Sequence, residues 1–301
     1  MTDFYPVIKI PDGAPELLEQ QGTKTKYWLH KEDEGRFLFK IGRANTGENW
    51  AEKVACELCS LFGLPHAHYD LSVWKEDKGV RTETFIPKHG RLIMGNELLA
   101  EIHNTYPEQQ RYKAQDHTLG RIFGLLSRKE ILLPLNWEQP SKDIENAVDV
   151  FIGYLLLDAW IANQDRHHEN WGVIQYRNGI YLAPTYDHAA SMGQNEGDGK
   201  REELLTTNDQ GRSINRYILK ARSAIYLSKS ERKPSLTIDV FREFAKKRPK
   251  SAYFWLQRLN DISLDQCQNI FNKMPPSEIS EVAVKFAMKL LELNKNRLLR
   301  G

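Results

Sequence analysis

An α+β protein in two lobes, a small β-rich one followed by a larger and mainly helical one, is what this sequence predicts. Three observations predict it. Short β-prone runs crowd the first third of the chain around a single helical segment. The stretch Ala147 to Ala162 (AVDVFIGYLLLDAWIA) is apolar nearly all round, the composition of a buried central helix. An amphipathic helical pattern then closes the chain from Ser277 to Leu299. The lobes are expected at residues 1–86 and 87–301, with the connector near residues 84–96.

Taken in order, Lys26 to His30 and Arg36 to Ile41 are two strands joined by a charged turn that ends in Gly35, so they should pair antiparallel. A Gly/Asn-rich loop (Gly42 to Gly47) leads into a helix from about Asn49 to Phe62. Val54, Leu58 and Leu61 share one face of it, and Gly63 and Pro65 stop it. Tyr69 to Trp74 and Arg81 to Ile86 are two further strands, with the turn Lys75 to Gly79 between them. After the central helix come two short strands, Trp171 to Gln175 and Ile180 to Leu182, joined through Tyr176-Arg177-Asn178-Gly179 as a hairpin. In the closing helix Ser277 is the expected cap, following Pro276, and Ile279, Val282, Phe286, Leu290 and Leu293 make the apolar stripe.

Composition narrows the classes. The chain has 301 residues, 41% hydrophobic and 27% charged, as an ordinary globular protein does. No apolar run approaches the roughly 20 residues that span a bilayer, so no membrane association is expected. The start, MTDFYPVIKIPDG, has neither the basic nor the apolar region of a signal peptide. The expected location is the cytoplasm, although a non-classical export or translocation route would leave no mark in the sequence. A net charge of only +2 gives no polyanion-binding footprint, and no direct nucleic-acid binding is expected. Three cysteines (Cys56, Cys59, Cys267) fit a reducing compartment rather than a disulfide framework.

The chemistry gathers directly after the central helix, in Asn163-Gln164-Asp165-Arg166-His167-His168-Glu169-Asn170. A polar run there cannot continue the core, so it forms a loop anchored by the helix. Asp165 and Asn170 have the spacing D-x-x-x-x-N, and after the hairpin comes Pro184-Thr185-Tyr186-Asp187-His188. Phosphoryl transfer needs this order. A first carboxylate takes or orients the proton of an attacking hydroxyl, and an Asn and a second Asp hold Mg²⁺ against the phosphates. The D-x-x-x-x-N spacing alone would more often be a polar turn; the hairpin and the later Asp tip the balance. Lys40, near the end of a strand with Phe37 and Phe39, is placed to pair with nucleotide phosphates. Glu52 on the next helix is its expected partner, with Glu48 and Glu57 as rivals. The one candidate phosphate-covering loop is Gln20 to Lys26, where Gly22, Thr23 and Lys24 would meet phosphates through backbone N–H groups and a lysine.

These residues resemble the HipA-like serine/threonine kinase family, in its short stand-alone form. The family's catalytic loop, N-x-D-x-H-x-x-N, is matched by Asn163, Asp165, His167 and Asn170. Its Y-D metal segment is matched by Tyr186-Asp187, and its strand lysine by Phe37-Leu38-Phe39-Lys40-Ile41. Glu52 falls at the family's helix glutamate, and Glu83-Thr84-Phe85 at its adenine-contacting hinge. The resemblance runs from about Gly22 to Ala190. It implies a two-lobed protein-kinase-like fold, and ATP and Mg²⁺ as cofactors. It further implies Asp165 and Lys40 as catalytic groups, with His167 bracing the loop. Lys40, Glu52, Gly22, Thr23, Lys24, Glu83 and Phe85 would contact nucleotide, and Asn170 and Asp187 would hold metal. It implies a protein Ser/Thr hydroxyl as acceptor, possible autophosphorylation, and an antitoxin of the HipB type as a possible partner. The chain departs from longer members by beginning almost at the nucleotide loop, and the expectation is that it lacks their N-terminal subdomain and its surface for an antitoxin. It also lacks their serine-rich loop, for which Thr23 and Thr25 could substitute.

Two other functions stay open on the residues: a small-molecule kinase of the aminoglycoside or choline kinase type, and a pseudokinase acting as a toxin–antitoxin binding module. The first expects His where Asn163 stands, and the second does not need the catalytic positions that are all filled here. Cys56-x-x-Cys59 followed by His66 and His68 has a zinc-like look, but small residues on the apolar face of a helix are better read as core packing. Asn195 to Arg201 (NEGDGKR) reads as a flexible segment after the metal-type Asp. The cluster Lys246-Lys247-Arg248-Pro249-Lys250 reads as a solvated helix end.

Overall fold

The computed structural model describes residues 3–13, 15–19, 25–31 and 35–300. The first sheet has six strands: β1 (Ile8–Ile10), β2 (Pro15–Glu19), β3 (Lys26–Lys31), β4 (Gly35–Ile41), β5 (Asp70–Trp74) and β6 (Asp77–Glu83). Their order is β1-β5-β6-β4-β3-β2, antiparallel except for the parallel β1–β5 edge. β4 lies inside the sheet, and its alternation turns Phe37 and Phe39 into a cluster with Ile10 and Leu29. At the β4–β6 pairing a Cβ on Gly79 would overlap the Lys40 carbonyl, so only glycine lets β6 approach the lysine strand.

Helix α1 (Glu48–Phe62) packs against β5 and β6 through Val54, Ala55 and Leu58, and ends at Gly63, whose φ of +77° is the left-handed stop that glycine takes without penalty. A second sheet, β7 (Arg91–Met94), β8 (Ile131–Leu132), β9 (Gly172–Tyr176) and β10 (Gly179–Leu182), has the order β7-β9-β10-β8. Helices α2 (Gly95–Ile102), α3 (Leu119–Leu126), α4 (Ala147–Ile161), α5 (Asp198–Thr206), α6 (Ile214–Tyr217), α7 (Thr237–Lys247), α8 (Pro249–Asp261), α9 (Leu264–Asn272) and α10 (Glu281–Leu299) make up the larger part.

Helix α4 is buried at every position, and α7, α8 and α10 pack around it. Burial of each large aliphatic side chain is worth roughly 1.5–3 kcal/mol, so α4 is the pillar of this half. Its first turn is pinned by Asp149, which accepts from the Glu145 and Asn146 N–H groups and from Arg248 at 2.8 Å. It stops at Ala162 in left-handed backbone, φ +55°, with the Ala162 N–H still bonded to Asp158 O. That conformation costs an alanine roughly 1–2 kcal/mol and turns the chain sharply into the polar loop.

The β3–β4 hairpin, α1, α4 and the β9–β10 hairpin stand close to where the sequence places them. Several expectations need correction. β6 begins at Asp77 and ends at Glu83, so the turn is tighter than Lys75 to Gly79, and Phe85 and Ile86 lie beyond the strand. The expected connector at 84–96 contains β7 and the start of α2. The last helix starts at Glu281 with Ser280 as its cap, accepting from the Ala283 N–H; Ser277 precedes it in a turn. Asn195 to Arg201 is not a flexible loop throughout, since α5 begins at Asp198 and Arg201 pairs with Asp198 at 2.7 Å. Among the described residues no helix is long and apolar enough to cross a membrane.

Candidate active site

The loop after α4 is held from beneath by a buried ion pair. Arg166 donates through Nε and Nη2 to both carboxylate oxygens of Asp158, each at 2.8 Å, and neither side chain reaches solvent by more than 3%. Arg166 also donates to Asn170 O (2.8 Å) and Thr185 Oγ1 (3.0 Å), tying both ends of the loop and the β10 exit to one guanidinium. Asn163 adds a second tie: its amide donates to Asp158 Oδ1, and its oxygen accepts the Asp165 N–H. Asn170 donates from Nδ2 to Asp165 O at 2.7 Å. This network fixes the backbone of Asp165 while its side chain stays partly open, 32% exposed, toward the cleft.

His167 is buried beside Asp165, with Nε2 at 3.8 Å from Asp165 Oδ1. The Glu169 N–H lies 3.1 Å from its Nδ1 and Arg111 Nε lies 3.1 Å from its Nε2. Burial first, then the Arg111 charge, push its pKa down to about 3, so the ring is neutral at pH 7. It stands in a buried trio. His168 is pushed by burial to about 4, and its Nδ1 lies 2.7 Å from Tyr106 OH. His117 is pushed by burial and then by His168 to about 3. His117 accepts from the Trp171 indole at Nε2, which leaves its proton on Nδ1 facing Ala224 O.

On the opposite wall Lys40 Nζ donates to Tyr69 OH (3.1 Å) and sits 3.4 Å from Asp187 Oδ1 and 3.8 Å from Glu52 Oε2. Burial would lower its pKa, but Asp187, then Tyr69 and Glu52, hold it well above the ordinary value, fully charged. Asp187 occupies left-handed backbone, φ +60°, which Asp tolerates better than most residues, and its N–H donates to Tyr69 OH at 3.3 Å. Glu52 is 1% exposed and accepts the His188 N–H at 2.7 Å. The Thr185 oxygen accepts from Arg166, so its O–H donates to His188 Nε2 at 2.7 Å. The His188 proton therefore sits on Nδ1, 3.7 Å from Glu52, in a ring that burial keeps neutral.

Lys40, Glu52 and Asp187 thus meet directly, while Asp165 and Asp187 line one cleft with Lys26, Arg43, Glu48 and Arg111. Of the rivals to Glu52, Glu48 pairs with Arg43 at 2.7 Å and Glu57 with Lys53 at 2.7 Å. Phe85 stacks on Tyr186 with ring centroids 5.5 Å apart, next to Asp187. Glu83 is exposed at the end of β6 and does not line the cleft. Gly22, Thr23 and Lys24 lie outside the described residues.

Cys56 and Cys59 are buried in α1, and Cys56 accepts the Tyr69 N–H at 3.4 Å, in line with core packing. Among the described residues no group of three His, Cys, Asp or Glu side chains is disposed to hold a metal by itself. A surface hollow of about 430 Å³ between α5 and α6 is lined in part by Glu196 and Lys200 of the Asn195 to Arg201 segment and by none of the expected catalytic, nucleotide-binding or metal-binding residues.

Sequence reading missed Tyr69, Arg111 and the Asp158–Arg166 pair. Only the last left a trace: an Asp inside an otherwise apolar helix needs a buried cation, and Arg166 lies eight residues on.

The chain matches the family model of the HipA-like C-terminal domain over residues 17–251. It is similar in structure to the proinflammatory kinase CtkA of Helicobacter pylori, with a TM-score of 0.75 and 18% identity, over 98% of this chain and 96% of that one. It is also similar to HipA of Shewanella oneidensis MR-1, solved with HipB and its operator DNA, with a TM-score of 0.60 and 14% identity, over 99% of this chain and 67% of that one. No curated protein matches it. Identities at this level speak to the fold, which is two-lobed and protein-kinase-like, and the family model spans most of the sequence. The chain therefore belongs to the HipA-like family and is a HipA-like kinase.

Proposed function

We propose that the protein is an ATP-dependent protein serine/threonine kinase that transfers the γ-phosphoryl group to a protein hydroxyl. The observation that carries this reading is the meeting of Lys40, Glu52 and Asp187 within 4 Å at a cleft that Asp165 also lines. Lys40, kept charged and oriented by Glu52 and Tyr69, binds the nucleotide phosphates. Asp165, with its backbone fixed by Asn163 and Asn170, takes or orients the proton of the acceptor hydroxyl. His167, neutral and buried, holds the loop beneath Asp165 without adding charge.

One carboxylate and one amide oxygen, from Asp187 and Asn170, suit a hard cation such as Mg²⁺, and too few protein ligands gather to hold it without phosphate oxygens. Mg²⁺, when bound, neutralises phosphate charge. The segment Glu83 to Phe85 serves as the adenine hinge through its backbone, with the exposed Glu83 side chain outside the cleft. The lobes divide near residue 86. Autophosphorylation at Thr23 or Thr25 belongs to the same reading. So does a HipB-type partner, supported by the HipA neighbour solved with HipB.

The test is transfer from labelled ATP to protein in a lysate. Asp165→Asn and Asp187→Asn should keep the unfolding midpoint and lose transfer by roughly 10²–10⁴-fold. Asn also accepts left-handed backbone, so position 187 is not strained by the change. Transfer at the wild-type level by either variant refutes the assignment, and transfer to metabolites but not proteins selects the small-molecule alternative.

A further inference from the structure

The segment between α2 and α3, residues 103–118, has no helix or strand, yet it delivers one side chain to the chemistry. Arg111 lies over the catalytic loop, with Nε at 3.1 Å from His167 Nε2 and 3.4 Å from Glu169 Oε2. The same His167 nitrogen is 3.8 Å from Asp165 Oδ1, so guanidinium and carboxylate flank a single atom. Arg111 lines the cleft together with Asp165 and Asp187 and is 19% exposed. Among the described residues no hydrogen bond uses its two terminal nitrogens.

Its place among the charges of the cleft is distinctive. Lys26 and Arg43 line the cleft from the small-lobe side, and Arg43 is paired with Glu48 at 2.7 Å. Lys40 is engaged by Asp187 and Glu52. On the large-lobe side, where the acceptor hydroxyl would meet Asp165, Arg111 is the cation among the described lining residues. His167 is neutral and supplies no charge there. During transfer the P–O bond to ADP breaks, the bond to the acceptor oxygen forms, and the acceptor proton passes to Asp165. Charge spreads over the oxygens of the group in flight. A planar guanidinium offers two parallel donors to such oxygens, held in place here through Nε.

We propose that Arg111 is a further catalytic residue, whose terminal nitrogens donate to the phosphoryl group as it moves from nucleotide to acceptor. This rests on the kinase reading above. The bland alternative is a brace that steadies His167 and Glu169, and the two differ in what they do to ground and transition states.

The experiment compares wild type with Arg111→Gln and Arg111→Lys by single-turnover transfer, and by binding of Mg-ADP with and without aluminium fluoride. Arg111→Gln should slow transfer about 10²–10³-fold and weaken the aluminium fluoride complex by a similar factor. Its affinity for ADP alone and its unfolding midpoint should stay close to wild type. Arg111→Lys should fall between, and added guanidinium should partly restore Arg111→Ala. Equal losses of ADP and aluminium fluoride affinity, or transfer by Arg111→Gln at the wild-type rate, overturn the proposal while the kinase reading stands. No transfer by wild type itself overturns both.

Discussion

On the large-lobe wall of the cleft, Asp165 and Asn170 hang from a network closed to water, whereas on the small-lobe wall Lys40 and Glu52 are held by contacts that cross between lobes. The first wall is local in sequence: Asp158, Asn163, Arg166 and Asn170 all fall within the end of one helix and the loop after it. The second joins β4, α1, the approach to β5 and the segment after β10 through Tyr69 OH and the His188 N–H. The first wall is therefore preorganised by the core, and the second exists only while the lobes stay in register.

Substitutions that delete one cation from each wall should break this comparison most directly. Arg166→Met strands Asp158 in the core and should cost about 3–5 kcal/mol in a denaturant titration, as breaking a buried pair does. Lys40→Met leaves Asp187 at an open cleft, 14% exposed, where water compensates, and leaves the buried Glu52 with the His188 N–H as a remaining donor; it should therefore cost less than Arg166→Met while abolishing transfer. Equal losses for the two would mean that the walls are built alike.

Acid should sharpen the contrast. His117, His167 and His168, all on the large-lobe side, sit near 3, 3 and 4 in the fold against an ordinary 6.5. The unfolded chain therefore binds protons first. The stability their neutral burial contributes is complete above pH 6.5 and is lost as pH falls below it, by about 1.4 kcal/mol per pH unit for each ring. Unfolding midpoints between pH 7 and pH 5 measure this, and a flat profile there would contradict it. The smallest effect is expected from Tyr69→Phe. Loss of one hydroxyl that accepts from Lys40 and from the Asp187 N–H should remove about 1 kcal/mol, seen as weaker ATP binding with little change in overall stability.

The same contrast explains what could be read from the chain. Helix α4 was legible because it is apolar on every side, and the loop after it because polar residues at fixed spacing follow a helix that must be buried. Lys40 was legible from the Phe37 and Phe39 alternation. Tyr69 was not: it looks like the first residue of an ordinary strand, and its role comes from Asp187, 118 residues away. Arg111 sits in a stretch of Pro, Glu, Gln and Lys with no periodicity, and only tertiary contact with His167, 56 residues on, sets it apart. β1, β7 and β8 are two to four residues long, too short for an alternating pattern to declare itself. α5 was hidden by two glycines and an acidic start that resemble a loop.

The bond from the His188 N–H to Glu52 makes the placement of α1 and the placement of the neighbouring Asp187 one variable rather than two. Any shift of that helix along its axis is therefore passed to the backbone at position 188 and to the carboxylate beside it.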